Sequence, residues 1–192
     1  PWNIDALIDL ENEYKNKVYT VLQLRHHEAI LELKNKIENG TANKVYDIKL
    51  TYITSRGNWY YTSWKGNEEK SGGIASNIGV HFFDMLQWIF GPMEESIVDI
   101  KTKDTNSGEL KFKQANVNWY LSINAENLPQ KAKDRGLPTF RTLSIEGEDI
   151  EFSKGFTDLH TVSYQKILTG EGYGLADAKS SIEIVSEIRN KK

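Results

Sequence analysis

The chain has 192 residues, 39% of them hydrophobic and 27% charged, which fits one soluble globular domain, or one with an appendage, and is too short for two full-sized ones. Lys and Arg total 24 against 27 Asp and Glu, a formal charge of −3, so no sequence-independent hold on nucleic acid is implied. The absence of cysteine excludes disulfides, thiolate metal sites and cysteine nucleophiles, and the expected location is cytoplasmic. No apolar run approaches the roughly 20 residues of a membrane helix. The opening Pro1-Trp2-Asn3 has neither a Met nor a basic signal-peptide start, as a trimmed chain would.

Ile4, Leu7, Ile8 and Leu10 recur at helical spacing and predict a first helix ending near Lys15 and Lys17. Val18 to Leu24 reads as a short strand. Glu28 to Glu38 reads as a helix with Ile30, Leu33 and Ile37 in one stripe, closed by Asn39-Gly40, so that the two form a βα unit. From Val45 to Ser55, Tyr46, Ile48, Leu50 and Tyr52 alternate with Asp47, Lys49 and Thr51, the pattern of a half-buried strand. The segment Arg56 to Gly73 has no period and carries Trp59, Tyr60, Tyr61 and Trp64 among Arg56, Asn58 and Lys65. It reads as an ordered loop, the kind of segment that carries function.

A helix from Ala75 to Phe90 comes next, with Ile78, Phe82, Met85, Leu86 and Ile89 buried and Gly91-Pro92 as its stop. Strands are then expected at Ser96 to Lys103, Phe112 to Asn124, Thr139 to Ile145 and Ile150 to Phe152, with Ser107-Gly108 as a hairpin turn. Asn116, Asn118, Tyr120 and Ser122 are expected on an outer, polar face. Two helices, Leu159 to Leu168 and Asp177 to Asn190, close the chain. Helices at both ends with strands between them predict an α+β domain with one open sheet.

Few motifs carry chemistry. Gly170, Gly172 and Gly174 come after a helix rather than a strand and read as a helix stop and reversal, not a dinucleotide fingerprint. His27-Glu28 is followed by Leu31 where a zinc-protease motif needs its second histidine, and His26, His81 and His160 are scattered, so no metal site is expected. Arg56 and Asn58 beside aromatics could grip a polar, ring-bearing ligand. In the run Ser71 to Asp84, Asn77 and His81 are four apart and share a helix face. That helix begins at Gly72 and Gly73, where missing side chains would let a ligand or cofactor approach the backbone. His81 titrates near neutrality and suits a general acid or base, with Asn77 orienting a hydroxyl. A core histidine satisfied by local hydrogen bonds fits the same spacing. On the functional reading both side chains line one cleft.

Gly72-Gly73, Asn77, Gly79, His81 and Asp84, followed by Trp88 and Gly91, resemble the signature of the glucose-fructose oxidoreductase and inositol dehydrogenase (Gfo/Idh/MocA) family. The string from Thr54 to Gly66, together with Leu22 to Arg25 and Leu159 to Arg189, resembles its branch of nucleotide-sugar 3-dehydrogenases that oxidise UDP-N-acetylglucosaminuronic acid. Asn77, where many members have Asp, fits that branch. The resemblance implies a C-terminal substrate-binding and oligomerisation domain occupying residues 1–192, with a mainly antiparallel sheet and helices packed on one face. Pro1 to Leu7 resembles the stretch just after the Glu-Lys-Pro motif of the dinucleotide-binding domain, so that domain, with its catalytic lysine, is expected to be missing from this chain.

The implied chemistry is oxidation of the sugar 3-hydroxyl, hydride passing to NAD. His81, with the absent lysine, would handle the proton, and Asn77 would position the hydroxyl. Arg25 or Arg56 would meet the uronate or diphosphate, with Asn58, Trp59, Tyr61 and Lys65 as further substrate contacts. The 3-keto product would pass to an aminotransferase in surface-polysaccharide (lipopolysaccharide) synthesis. The expected partners are a UDP-sugar and further copies of the chain, at least a dimer and a tetramer at full length, without nucleic acid or membrane. The chain alone is expected to be inert and free of NAD. A non-catalytic sugar-binding or oligomerisation module of the same fold is the alternative.

Overall fold

The alternation of Tyr46 to Thr54 builds strand β1 at the heart of a sheet in the computed structural model, which describes residues 3–41, 44–150, 156 and 158–191. The other strands are β2 (Met93–Lys101), β3 (Thr105–Phe112), β4 (Ala115–Ser122), β5 (Thr139–Ile145) and β6 (Glu148–Ile150). They lie in the order β2-β3-β4-β1-β5-β6. Every described pair is antiparallel except β1 with β4. The fold is thus α+β with an open, mainly antiparallel sheet, as expected.

One face of the sheet is apolar because residues two apart on a strand share a side. Ile48 and Leu50 of β1, Val117, Trp119 and Leu121 of β4, and Leu143 of β5 are buried beneath the helices. The helices are α1 (Ile4–Tyr14), α2 (Glu28–Glu38), α5 (Val80–Phe90), α7 (Leu159–Leu168) and α8 (Leu175–Asn190), with the short α3 (Asn58–Thr62), α4 (Glu68–Ser71) and α6 (Gln130–Asp134). Helix α5 rests directly on the central strands. Phe83 meets Trp119 edge-on with ring centroids 5.4 Å apart, and Phe82 packs on Tyr52 at 4.9 Å. Gly79 permits that approach, since a Cβ there would lie 2.7 Å from Phe83 Cε2 and 2.8 Å from Leu121 Cδ1. None of the described helices is long and apolar enough to cross a membrane.

Several local expectations are corrected. Val18 to Leu24 makes no strand. Only Tyr19 forms a single bridge, to Gly174, and Gln23–His26 winds into a 3₁₀ turn that buries Leu24 and Arg25. With no neighbouring strand to pair, its backbone cannot join a ladder. Arg56 to Gly73 contains α3, α4 and a 3₁₀ turn rather than plain loop. Ser107-Gly108 is not a turn but the middle of β3, a strand that the local pattern did not predict. A Cβ on Gly108 would come within 2.1 Å of Ile97 O, beside the irregularity between Val98 and Ile100 in β2. The glycine answers a bulge in the next strand. Lys113-Gln114 then separates β3 from β4, dividing the strand expected from Phe112 onward. Ser122 is fully buried rather than outward and open. Its Oγ donates to Asp104 O and accepts from Asn127 Nδ2 where α6 and Leu128 cover that end of the outer face. Phe152, the expected end of the last short strand, lies outside the described residues.

The helical layer is tied together by one buried ion pair. Arg25 Nε and Nη2 donate to the two carboxylate oxygens of Asp84 on α5 at 2.9 and 2.7 Å. Nη2 also donates to Asp177 O at 3.1 Å, in the first turn of α8. The Arg25 guanidinium lies over Tyr173 at 4.7 Å and Trp88 at 5.6 Å. Arg25 and Asp84 are 7% and 3% exposed, so neither charge has water to fall back on. Burial raises the Asp84 carboxyl above its ordinary range, and the Arg25 hydrogen bonds offset part of that rise.

This packing sets two stability outcomes. Asp84→Ala strands a buried cation and is expected to cost about 3–5 kcal/mol in chemical denaturation, whereas the paired change Arg25→Met with Asp84→Leu should cost far less. Gly79→Ala forces a methyl group into closed packing, and the same measurement should show a loss of about 1–3 kcal/mol.

Candidate active site

The segment leading into α5 is not a plain α-helix. Ala75–Gly79 forms a π turn before α5 proper, a wide turn that often marks functional positions. Gly72 and Gly73 precede it with φ of +79° and +76°. Their left-handed backbone ends α4, and Ser76 Oγ donates back to Gly72 O at 3.0 Å. A Cβ on Gly72 would lie 2.2 Å from Ser76 Oγ. The turn by itself therefore accounts for both glycines.

Asn77 sits in the middle of the π turn, half-buried. Its Nδ2 donates to Tyr60 Oη at 3.1 Å and to Lys65 O at 3.3 Å. Among the described residues no hydrogen bond engages its carbonyl oxygen, so that acceptor is available to a ligand hydroxyl. Burial pushes the Tyr60 phenol up, which keeps it neutral and able to donate. One turn on, His81 is also half-buried. Burial, with a smaller push from His160 of α7, lowers its imidazole below the ordinary histidine range. A neutral imidazole at pH 7 is a proton acceptor.

The aromatic segment is brought to Asn77 rather than held away from it. Lys65 O, which accepts from Asn77, also accepts from Ser71 Oγ at 2.9 Å. Arg56 leaves the end of β1 with its N–H bonded to Ile123 O, its Nε is buried without a partner, and its charge acts on Tyr60. Asn58 opens α3. Trp59, Tyr61 and Trp64 remain open to solvent at 53%, 41% and 59% exposure. The Lys65 ammonium stands 5.8 Å from the Trp64 ring. Asn77, Arg56, Lys65 and the aromatics thus gather at one end of the sheet, with His81 a turn beyond. Arg25 does not join them, because its guanidinium is spent on Asp84. His160 carries no mark of a site in the sequence and Tyr60 is one aromatic among several in its segment, since only the fold joins them to His81 and Asn77.

One concavity lies between α1 and the start of α8 and another between Gly72 and α8. Asn77 and His81 line neither, so the expected shared cleft is not one of these two. No group of three potential metal ligands is gathered there. Gly170 stops α7 with φ of +80°, in keeping with a helix stop and reversal.

Residues 34–128 match the family described as oxidoreductase family, C-terminal alpha/beta domain. The WlbA (WbpB) dehydrogenase from Thermus thermophilus, in complex with NAD and alpha-ketoglutarate, aligns over 100% of this chain at 44% identity and a TM-score of 0.94, and 62% of that chain is covered. The same enzyme in complex with NAD and UDP-GlcNAcA aligns over 100% of this chain at 43% identity and 0.93, with 61% of it covered. The WlbA dehydrogenase from Bordetella pertussis, in complex with NADH and UDP-GlcNAcA, shares the fold alone, at 18% identity and 0.74 over 97% of this chain and 64% of its own. The chain therefore spans less than two thirds of each of these solved structures. With the fold, the signature from Gly72 to Asp84 and the Thermus identity in agreement, residues 34–128 are identified as the C-terminal alpha/beta domain of the Gfo/Idh/MocA oxidoreductase family.

Proposed function

We propose that this domain binds and orients the substrate of an NAD-dependent dehydrogenase that oxidises the 3-hydroxyl of a UDP-linked uronic acid for lipopolysaccharide sugar synthesis. The observation that carries the reading is the pair on the π turn and α5: Asn77, fixed by Tyr60 and Lys65 with its oxygen free, and His81, kept neutral by burial. The Thermus enzyme, whose structure holds NAD and UDP-GlcNAcA, supports the substrate class.

The described residues offer no cradle for a dinucleotide. No strand leads through a glycine loop into a helix N-terminus, and the glycines between α7 and α8 come after a helix. NAD, which accepts hydride when bound, would be held by a separate domain, and that domain would supply the second wall facing Asn77 and His81. Within this chain, the Asn77 carbonyl accepts the substrate hydroxyl and fixes its orientation. His81 takes the hydroxyl proton as the carbon is oxidised. Arg56 meets an anionic group of the substrate, and Asn58, Trp59, Tyr61 and Lys65 surround its polar and ring parts.

The open face of the sheet would serve self-association in the cytoplasm. Lys49, Asn116 and Asn118 are exposed there, Tyr120 is half-covered, and Ile97 and Ile100 stand exposed on edge strand β2. An antiparallel sheet with one uncovered face can pack against its own copy.

Four measurements test these statements. Calorimetry on the 192-residue chain should detect no micromolar NAD binding, and sedimentation at tens of micromolar should show at least a dimer, a strictly monomeric profile counting against the sheet interface. In the complete enzyme, His81→Asn should lower kcat by about 100-fold or more, while Asn77→Ala should raise KM as well as lower kcat. Because the His81 pKa is lowered, the wild-type rate should persist to more acid pH than an ordinary histidine of pKa about 6.5 allows, then fall as the imidazole protonates. A fully active His81→Asn enzyme returns the residue to a packing role.

A further inference from the structure

Arg141 of β5 lies opposite Tyr52 of β1, on the side of the sheet that the helices cover. The next residues of β5 on that side, Leu143 and Ile145, are apolar and buried, as packing alone would require. A guanidinium in the same row needs another reason. Its carbon stands 3.9 Å from the Phe156 ring centroid and 5.3 Å from that of Tyr52, so aromatic rings strip water from it. Its Nε is buried with no hydrogen-bond partner, and among the described residues no carboxylate pairs with it. Stacking leaves the N–H donors at the edge of the guanidinium unused, and a half-buried cation without an acid is an incomplete arrangement.

The location supplies the missing partner. Tyr52 packs on Phe82, the neighbour of His81 in α5, and Phe156 precedes α7 in the chain. Arg56, the other arginine with a buried and unpartnered Nε, follows β1 at this same end, where Ser55 N bonds Pro138 O just ahead of β5. Two guanidinium groups with open donors therefore stand at this end of β1 and β5, Arg141 against the Tyr52 ring that packs on Phe82 of the helix carrying His81, and a UDP-linked uronic acid carries two anionic groups, a diphosphate and a carboxylate.

We propose that Arg141 is a substrate-binding residue whose guanidinium receives one oxyanion group of the substrate, with Arg56 meeting the other. The assignment rests on the UDP-sugar reading above. It replaces Arg25, whose donors are consumed by Asp84.

The test is the affinity of the complete enzyme for UDP-GlcNAcA and for UDP, measured by calorimetry on wild type, Arg141→Met and Arg141→Lys, with melting temperature recorded for each. Arg141→Met should bind UDP-GlcNAcA about 10- to 100-fold more weakly, the range for a lost hydrogen bond to a charged group. Arg141→Lys should recover only part of the loss, since an ammonium lacks the paired donors, and it serves as the readout should the Met variant fail to fold. Unchanged UDP affinity in the Met variant assigns Arg141 to the carboxylate, and an equal fall for UDP assigns it to the diphosphate. Wild-type affinity for both ligands in the variants, with only a lower melting temperature, overturns the assignment and leaves Arg141 a packing brace. A wild-type enzyme that binds neither ligand overturns the UDP-sugar reading and this assignment together.

Discussion

The buried pair of Arg25 and Asp84 organises the helical layer, because a desolvated cation is costly unless an acid and hydrogen-bond acceptors surround it. Satisfying Arg25 requires α5 to present Asp84, α8 to present the Asp177 carbonyl, and Tyr173 and Trp88 to shield the guanidinium faces. Asp177 in turn accepts from Gly174 N at 2.8 Å, capping the start of α8. Three separate parts of the chain are thereby held in one register against the sheet. The helix that carries Asp84 is the one that carries His81 one turn earlier, so the same pair that anchors α5 sets where the candidate base stands.

Small residues decide how closely that layer sits. Gly79 brings the beginning of α5 onto Leu121 of β4, and the π turn around it widens the helix where Asn77 must face Tyr60 and the Lys65 carbonyl. His81 thus stands between the π turn that carries Asn77 and the α-helical turn anchored at Asp84. The aromatic segment reaches this point because α3 follows β1 directly and its Tyr60 is buried in the core. The exposed Trp59, Tyr61 and Trp64 are then carried by a rigid base instead of a free loop.

Much of the candidate site was legible in the sequence because it is contiguous. Gly72 to Asp84 is a single run whose spacing and signature could be read without a fold, and Arg56 to Lys65 is another. The readings that failed depended on neighbours far along the chain. Arg25 looked like a free guanidinium until its partner, 59 residues away, was known. Gly108 looked like a turn glycine until the carbonyl of Ile97 in β2 was seen to exclude a side chain.

The sequence by itself determined the α+β class, strands β1 and β5, and helices α2, α5, α7 and α8. Hydrophobic period and helix stops are local properties, and these elements obey them. Only the tertiary structure decided that β1 runs parallel to β4, that Val18 to Leu24 forms no strand, that Arg25 is buried against Asp84, and that Tyr60 and His160 attend Asn77 and His81. Strand pairing, charge burial and hydrogen-bond satisfaction join residues distant in the chain, so no periodicity along it could reveal them.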